Sequence, residues 1–388
     1  MDWVANIDTR IKTQEKENNM NNKLFKTSAS THLWSVLSFT SLLTIFPLAA
    51  EESITVVSWG GAYERACKEG YFDSFEEATG IKINIADFNG GLAQVRAQVE
   101  SGNIQWDVVD IESQDGIIGC DEGLFEPLDE IELPDGPDGS SASDDFLEGS
   151  ISECAIGTVT WSTVVAYNAT TYKTDPPSTV KDFFDIEKYP GRRGMRRTPE
   201  VNLEFALIAD GVPIEEIYET LSTEEGVDRA FAKLDTIKDS LLMWEAGAQP
   251  PQLLADKEVV MTTAYNGRIF NAQTVEEQPF VIIWDGQVRD FAQFVIPLGA
   301  PNMENAIKFV QYAALSSSQA GVANRISYGP VRLSAWELVG KHIPTAIDMR
   351  PHMPTHPDNS KTVLTNNPAW WAENKDNLFE RFSAWLSN

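Results

Sequence analysis

The sequence predicts a two-lobed α/β fold with a ligand cleft between the lobes. Three observations carry the expectation. At 388 residues the chain exceeds what a single hydrophobic core usually supports, so two lobes of ordinary domain size are expected. The stretch after residue 50 alternates short apolar runs with helical patterns in the order β-α-β-α-β, the unit of a parallel sheet. Aromatic and charged residues recur at predicted strand ends in both halves, and in open α/β sheets the carboxyl edge is where ligands sit. The lobes are expected at 51–160 plus 291–331 and at 161–290 plus 332–388.

The chain opens with a leader. Leu33–Ala50 is apolar, follows Lys23 and Lys26, and ends on the small residues Ala49 and Ala50, which together read as a secretory signal over residues 1–50 cleaved after Ala50. Met20 begins a more ordinary signal peptide than Met1 does. Pro47 and the acidic sequence that follows weigh against an uncleaved membrane anchor. The protein is therefore expected in the periplasm.

Ile54–Gly61 (Ile-Thr-Val-Val-Ser-Trp-Gly-Gly) reads as a buried strand that delivers Trp59 to its carboxyl edge, where two glycines permit a sharp turn. Ala62–Thr79 then reads as a helix closed by Gly80, which puts Tyr63 beside the same crevice. Trp59 as plain core is the competing assignment. Ile81–Ala86 and Trp106–Ile111 read as strands around a short helix at Leu92–Ser101. The third strand brings Asp110 or Glu112 to the edge, as a partner for a ligand ammonium or as an N-cap for the next helix.

Glu130–Asp145 is rich in Pro, Gly, Ser and Asp and reads as a surface loop. Ile156–Asn168 is a long β-rich run read as the first crossing between lobes. Tyr189–Gly194 reads as a turn, and Leu203–Ala209, Ile214–Leu221 and Gly226–Lys238 as helices. A strand over Glu258–Thr263 delivers Tyr265 and Arg268 to a second carboxyl edge. Phe280–Trp284 is read as a strand leading to Trp284 and Asp285, and Phe291–Pro297 as a separate strand returning to the first lobe. Glu304–Leu315 is a packed helix, Ser327–Pro330 a turn carrying Tyr328, and the rest reads as terminal helices joined by a polar loop.

A net charge of −28 repels nucleic acid and anionic lipid. It fits either a cationic ligand or simply a solvated acidic surface. Three cysteines allow one internal disulfide. Cys120–Cys154 is the expected pair, with Cys67 a buried helix residue, although the other pairings stay open. His352 and His356 have the spacing of a helical metal pair, but Pro351, Pro354 and Pro357 forbid a regular helix there, so no metal site is expected. No nucleophile elbow, P-loop or dinucleotide fingerprint is present, so no catalytic residue and no cofactor are assigned.

Ser58-Trp-Gly-Gly-Ala-Tyr63, Phe75–Ile81, Trp106-Asp-Val-Val-Asp110, Tyr189-Pro-Gly-Arg-Arg193, Tyr265-Asn-Gly-Arg268 and Tyr328-Gly-Pro330, in this order behind a signal peptide, resemble the periplasmic substrate-binding proteins of bacterial ABC importers. The resemblance is to the spermidine/putrescine-type group and covers nearly everything after Ala50. It implies a two-lobed periplasmic-binding-protein fold of type II, a monomer that closes on one small molecule and is presented to a permease and its ATPase. By the same resemblance Trp59, Tyr63, Tyr265 and Tyr328 line the cleft. The polyamine binders place an acid where this chain has Ala292, with Asp290 two residues earlier, and a further carboxylate matches Glu200.

The expected function is non-catalytic binding of a small cationic or zwitterionic amine, a polyamine such as putrescine or spermidine first. The expected site is Trp59, Tyr63, Asp110, Glu112, Tyr265, Arg268, Trp284, Asp285, Asp290 and Tyr328. Arg268, if it faces the cleft, favours instead an amino-acid-like or opine-like carboxylate ligand, because guanidinium pairs bidentately with carboxylate. A surface or interlobe salt bridge is its plainer role. A thiaminase-like enzyme on the same scaffold is the alternative from another class, and it requires a cysteine nucleophile in the cleft.

Overall fold

A computed structural model describes residues 52–387. The leader, and every expectation placed on it, lies outside the described residues.

The first half builds a parallel sheet from β1 (Ser53–Ser58), β2 (Lys82–Asp87) and β3 (Val108–Glu112), with β1 in the middle. Ile54, Val56 and Val57 of β1 are buried because helices cover both faces of a parallel sheet. The helix expected over Ala62–Thr79 is three pieces: α1 (Gly61–Cys67), a π-helical turn at Lys68–Phe72, and α2 (Asp73–Thr79). Gly80 closes α2 in the left-handed conformation, φ 78°. α3 (Ala93–Ser101) joins β2 to β3, and α4 (Ser113–Asp121) leaves β3 directly.

Two long strands then tie the halves together. β4 (Ile156–Asn168) is buried along all thirteen residues. It pairs antiparallel with β8 (Phe280–Val295), a single 16-residue strand and not the two separate strands the sequence suggests. The interruption is a bulge: Thr163 pairs with Val288 and Val165 with Ile283, and Gly286 takes φ 66° between them. Between β4 and β8 the chain forms α5 (Val180–Phe184), β5 (Arg193–Arg196), α6 (Asn202–Ala209), α7 (Ile217–Leu221), α8 (Glu224–Asp235), β6 (Leu241–Trp244), α9 (Gln249–Ala255), β7 (Met261–Tyr265) and α10 (Asn266–Thr274). After β8 come α11 (Met303–Ala313), α12 (Ser316–Ala323) and a 20-residue α13 (Pro368–Ser387). The main sheet path runs β2-β1-β3-β8-β4-β7-β5-β6, so the crossing strands are shared by both lobes.

Two large apolar cores lie on either side of the crossing strands. One gathers Val56, Phe75, Phe294, Phe309 and Val310; the other gathers Val165, Phe183, Phe205, Leu234, Trp371 and Phe382. Each large side chain so buried contributes roughly 1.5–3 kcal/mol. α13 returns to the second core through Trp371, Leu378 and Phe382. Cys120 and Cys154 are disulfide-bonded with their Cα atoms 5.8 Å apart, and Cys67 is a free, buried thiol.

Candidate ligand site

The site forms where β1, β3, β5 and β7 end. At the end of β1, Gly60 and Gly61 both take φ 62°, a conformation that costs glycine little and lets the chain turn within two residues into α1. That turn leaves Trp59 at the cavity, its ring centroid 4.8 Å from that of Phe88. Tyr63 follows one helical turn later. Its hydroxyl donates to Asp110 Oδ2 at 2.7 Å and its ring lies 5.4 Å from Tyr328.

Asp110 therefore stands behind Tyr63 and not in the cavity; it is 1% exposed. Burial pushes its carboxyl up to about 7, while the Tyr63 hydroxyl pulls the other way. Glu112, two residues on, does reach the cavity. It occupies the N-cap position of α4, yet its side chain makes no cap bond. Its Oε1 instead accepts from Arg196 Nη1 at 2.8 Å and its Oε2 from Gln114 Nε2 at 3.1 Å.

Arg196 arrives from the opposite lobe at the end of β5, its guanidinium 5.9 Å from the ring centre of Tyr265. Burial works against its charge, but Glu112 more than offsets this and holds Arg196 above its ordinary range. Tyr265 ends β7 and meets Trp161 and Trp244 edge-on at 5.0 and 5.6 Å. The next residue, Asn266, pins the crossing strand: its Oδ1 accepts from Ser162 N at 2.9 Å and its Nδ2 donates to Ser327 O at 2.6 Å. Arg268 then reaches across to the β1 turn, where Nη1 donates to Gly60 O at 2.7 Å and Nη2 to Trp59 O at 3.0 Å. Its Nε is buried without a partner among the described residues, an unspent donor at the cavity wall. Burial pushes the Tyr328 hydroxyl up to about 12, with Arg268 opposing, so it stays protonated.

The resulting cavity is a cleft open to solvent, about 540 Å³ of space counting the solvent at its mouth. Of the residues expected there, Trp59, Tyr63, Glu112, Tyr265, Arg268 and Tyr328 line it. Trp284 and Asp285 lie elsewhere, in the β8 bulge. Asp285 Oδ2 accepts from Val180 N at 3.1 Å at the start of α5 and Oδ1 from Thr362 Oγ1 at 3.0 Å, a structural role. Asp290 lies behind the Arg196–Glu112 pair, accepting from Ser113, Phe291 N and Asn366, in a smaller second cavity. Sequence reasoning did not place Trp161, Arg196, Asn89 or Glu245 in the cavity, whereas Ala292, where the polyamine binders hold an acid, forms part of its wall. Trp161 sits within the recognised strand Ile156–Asn168, so strand alternation was the available signal. Arg196 ends a four-residue strand, Arg193–Arg196, whose first two residues overlap the Tyr189–Gly194 stretch that reads as a turn.

Cys67 is completely buried in the first core, takes a 3.3 Å hydrogen bond from Tyr71, and has its thiol pushed far up by burial. It does not line the cavity, so a cysteine-based enzyme has no nucleophile there.

The model of the bacterial extracellular solute-binding proteins matches residues 70–355. A γ-aminobutyric acid-binding protein of Pseudomonas aeruginosa is 40% identical over 359 residues, 92% of this chain and 97% of its own. Among solved structures, the binding protein MotA of A. tumefaciens B6, in complex with glucopine, superposes with a TM-score of 0.78 at 29% identity, covering 86% of this chain and 99% of that one. The Atu4243 GABA receptor superposes at 0.73 and 27%, covering 86% and 98%. The interlobe cavity, the paired crossing strands and these matches lead to one conclusion: the chain belongs to the bacterial extracellular solute-binding protein family.

Proposed function

We propose that the protein captures a small amino acid or amino-acid-derived zwitterion, with γ-aminobutyrate the first candidate, and delivers it to an ABC importer from the periplasm. The observation that carries this reading is the charge in the cavity. Arg196 and Arg268 stand with Glu112 in one aromatic-walled space, while Glu245 at its rim is exposed and paired with Arg197, so both signs are available to one ligand. A diamine needs carboxylates at both ends. Where the polyamine binders hold an acid, the wall here is Ala292, and two guanidiniums repel a dication. The curated relative and the two solved relatives, which bind γ-aminobutyrate or an opine by name, point the same way. The polyamine reading accordingly yields to the carboxylate-bearing one.

Binding works by closure. One lobe presents Trp59, Tyr63 and Glu112, the other Arg196 and Tyr265, and a ligand touching both sets shifts the open-to-closed equilibrium. The lobes are taken as 51–160 plus 291–331 and 161–290 plus 332–388. Thermal shift and calorimetric titration with γ-aminobutyrate, an opine and putrescine test the reading. A rise in melting temperature with the first or second is expected; a rise with putrescine alone overturns it.

A further inference from the structure

Behind the Arg196–Glu112 pair lies a second cavity, reached past Glu112, Trp161 and Arg196, which line both spaces. Its wall is acidic: Glu112, Glu200 and Asp290 contribute carboxylates, each less than a tenth exposed, and Trp371 gives it an aromatic side. Chemically it is a seat for an organic ammonium. Yet an ammonium of the chain itself is already at its edge. Lys375 Nζ lies 2.5 Å from Asp115 Oδ1 and 3.4 Å from Glu200 Oε1.

Lys375 is held there by rigid anchors. It projects from α13, whose Trp371, Leu378 and Phe382 are buried in the second core, and Trp371 Nε1 donates to Glu204 Oε1 at 2.7 Å. Asp115, on α4, belongs to the opposite side of the cleft and also accepts from Gly91 N at 3.2 Å. Arg196 takes Glu112 in the same way from the cavity side. Arg196 thus meets Glu112 from one flank and Lys375 meets Glu200 from the other.

We propose that Lys375 is a specificity-determining residue: a tethered ammonium that closes the edge of the acidic compartment at Glu200 and so excludes free diamines. It acts without contacting the ligand, by denying the carboxylates to a second cation. The inference rests on the main cavity being the ligand site, but not on which ligand fills it.

Lys375→Met removes the charge and keeps most of the stem. Putrescine and n-butylammonium are the probes, titrated calorimetrically into the full mature chain. Binding at least roughly tenfold tighter than to wild type is expected, and the gain should vanish in K375M/E200Q. A folded K375M that binds both amines no better than wild type overturns the proposal, as does a gain that survives E200Q. If K375M does not fold, acetylation of the wild-type protein decides. Lys375 should react several-fold more slowly than the exposed Lys361, and E200Q should speed it; equal rates overturn the proposal. Wild type is titrated with γ-aminobutyrate in parallel. Loss of binding there and to an opine titrated alongside, together with a diamine gain in K375M, sinks the proposed function and leaves this inference standing.

Discussion

Arg196 and Glu112 meet across the cleft at 2.8 Å, joining the end of β5 to the end of β3 with both side chains largely out of water. Under the proposed closure mechanism the pair forms as the two lobes meet. Removing one partner leaves the other charged and unsatisfied, which costs about 2–5 kcal/mol in such settings. Glu112→Gln and Arg196→Met should each weaken ligand binding by roughly thirtyfold or more, mostly through faster release. Calorimetry and stopped-flow fluorescence from Trp59 and Trp161 check this. Unchanged release rates would remove the pair from the closure mechanism.

Four buried carboxyls, those of Asp110, Glu200, Glu204 and Asp290, are each pushed up to about 7, with burial the main cause. A carboxyl raised in the folded state holds its proton there longer than in the unfolded chain. Its contribution to stability is full below the unfolded carboxylate range of about 4 and is lost as pH rises through about 7. Burial lowers His342 and His352, which titrate with the opposite sign, but they are two against four. The melting temperature should therefore fall from pH 5 to pH 8. Glu204→Gln keeps an acceptor for Trp371 Nε1 and cannot titrate, so it should flatten the slope and raise the melting point at pH 8. A slope unchanged by E204Q would show that Glu204 does not titrate in this range.

The fold was legible wherever local pattern and global role agree. Ile156–Asn168 is read from its β-branched run and is the crossing strand with those same bounds, because a strand buried on both faces is apolar throughout. Trp59, Tyr265 and Tyr328 were legible because each sits where a strand or turn meets a glycine or asparagine, and Tyr63 because it lies in the first turn of the helix that follows the Gly60-Gly61 turn. Trp284 and Asp285 carried the same signature and misled, since a bulge in a longer strand and a true strand end share it. Arg196 was hidden because its strand is four residues long and its parallel partners, β6 and β7, lie 45 and more residues away in the chain. No local pattern reports such pairing. The acids divided likewise: whether Asp110, Glu112 or Asp290 faces a ligand depends on what crosses from the other lobe.

The Cys120–Cys154 bond spans 34 residues and lies against Val57, Val109 and Val295 in the first lobe, apart from the ligand cavity. Closing a loop of that length stabilises a domain by about 2–4 kcal/mol, chiefly by restricting the unfolded chain. C120S/C154S should lower the urea midpoint accordingly while ligand affinity stays within about twofold. A large loss of affinity at unchanged stability would place the bond in the binding machinery instead.

Gly61 offers a sharper test of Arg268. A Cβ at position 61 would lie 2.7 Å from Arg268 Nη1, and the residue has φ 62°, where side chains are strained. Gly61→Ala therefore costs roughly 1–2 kcal/mol in backbone strain and also drives the guanidinium off the carbonyls of Trp59 and Gly60. Arg268→Met removes the guanidinium without touching the turn. If Arg268 both bridges the β1 turn and receives the ligand carboxylate, the two variants should lose affinity for γ-aminobutyrate together, while only G61A carries the backbone cost in the ligand-free protein. If Arg268 serves the turn alone, R268M should lower the melting temperature and leave the affinity of the folded protein where it was. Titration of the two variants side by side, with melting curves taken without ligand, separates the roles.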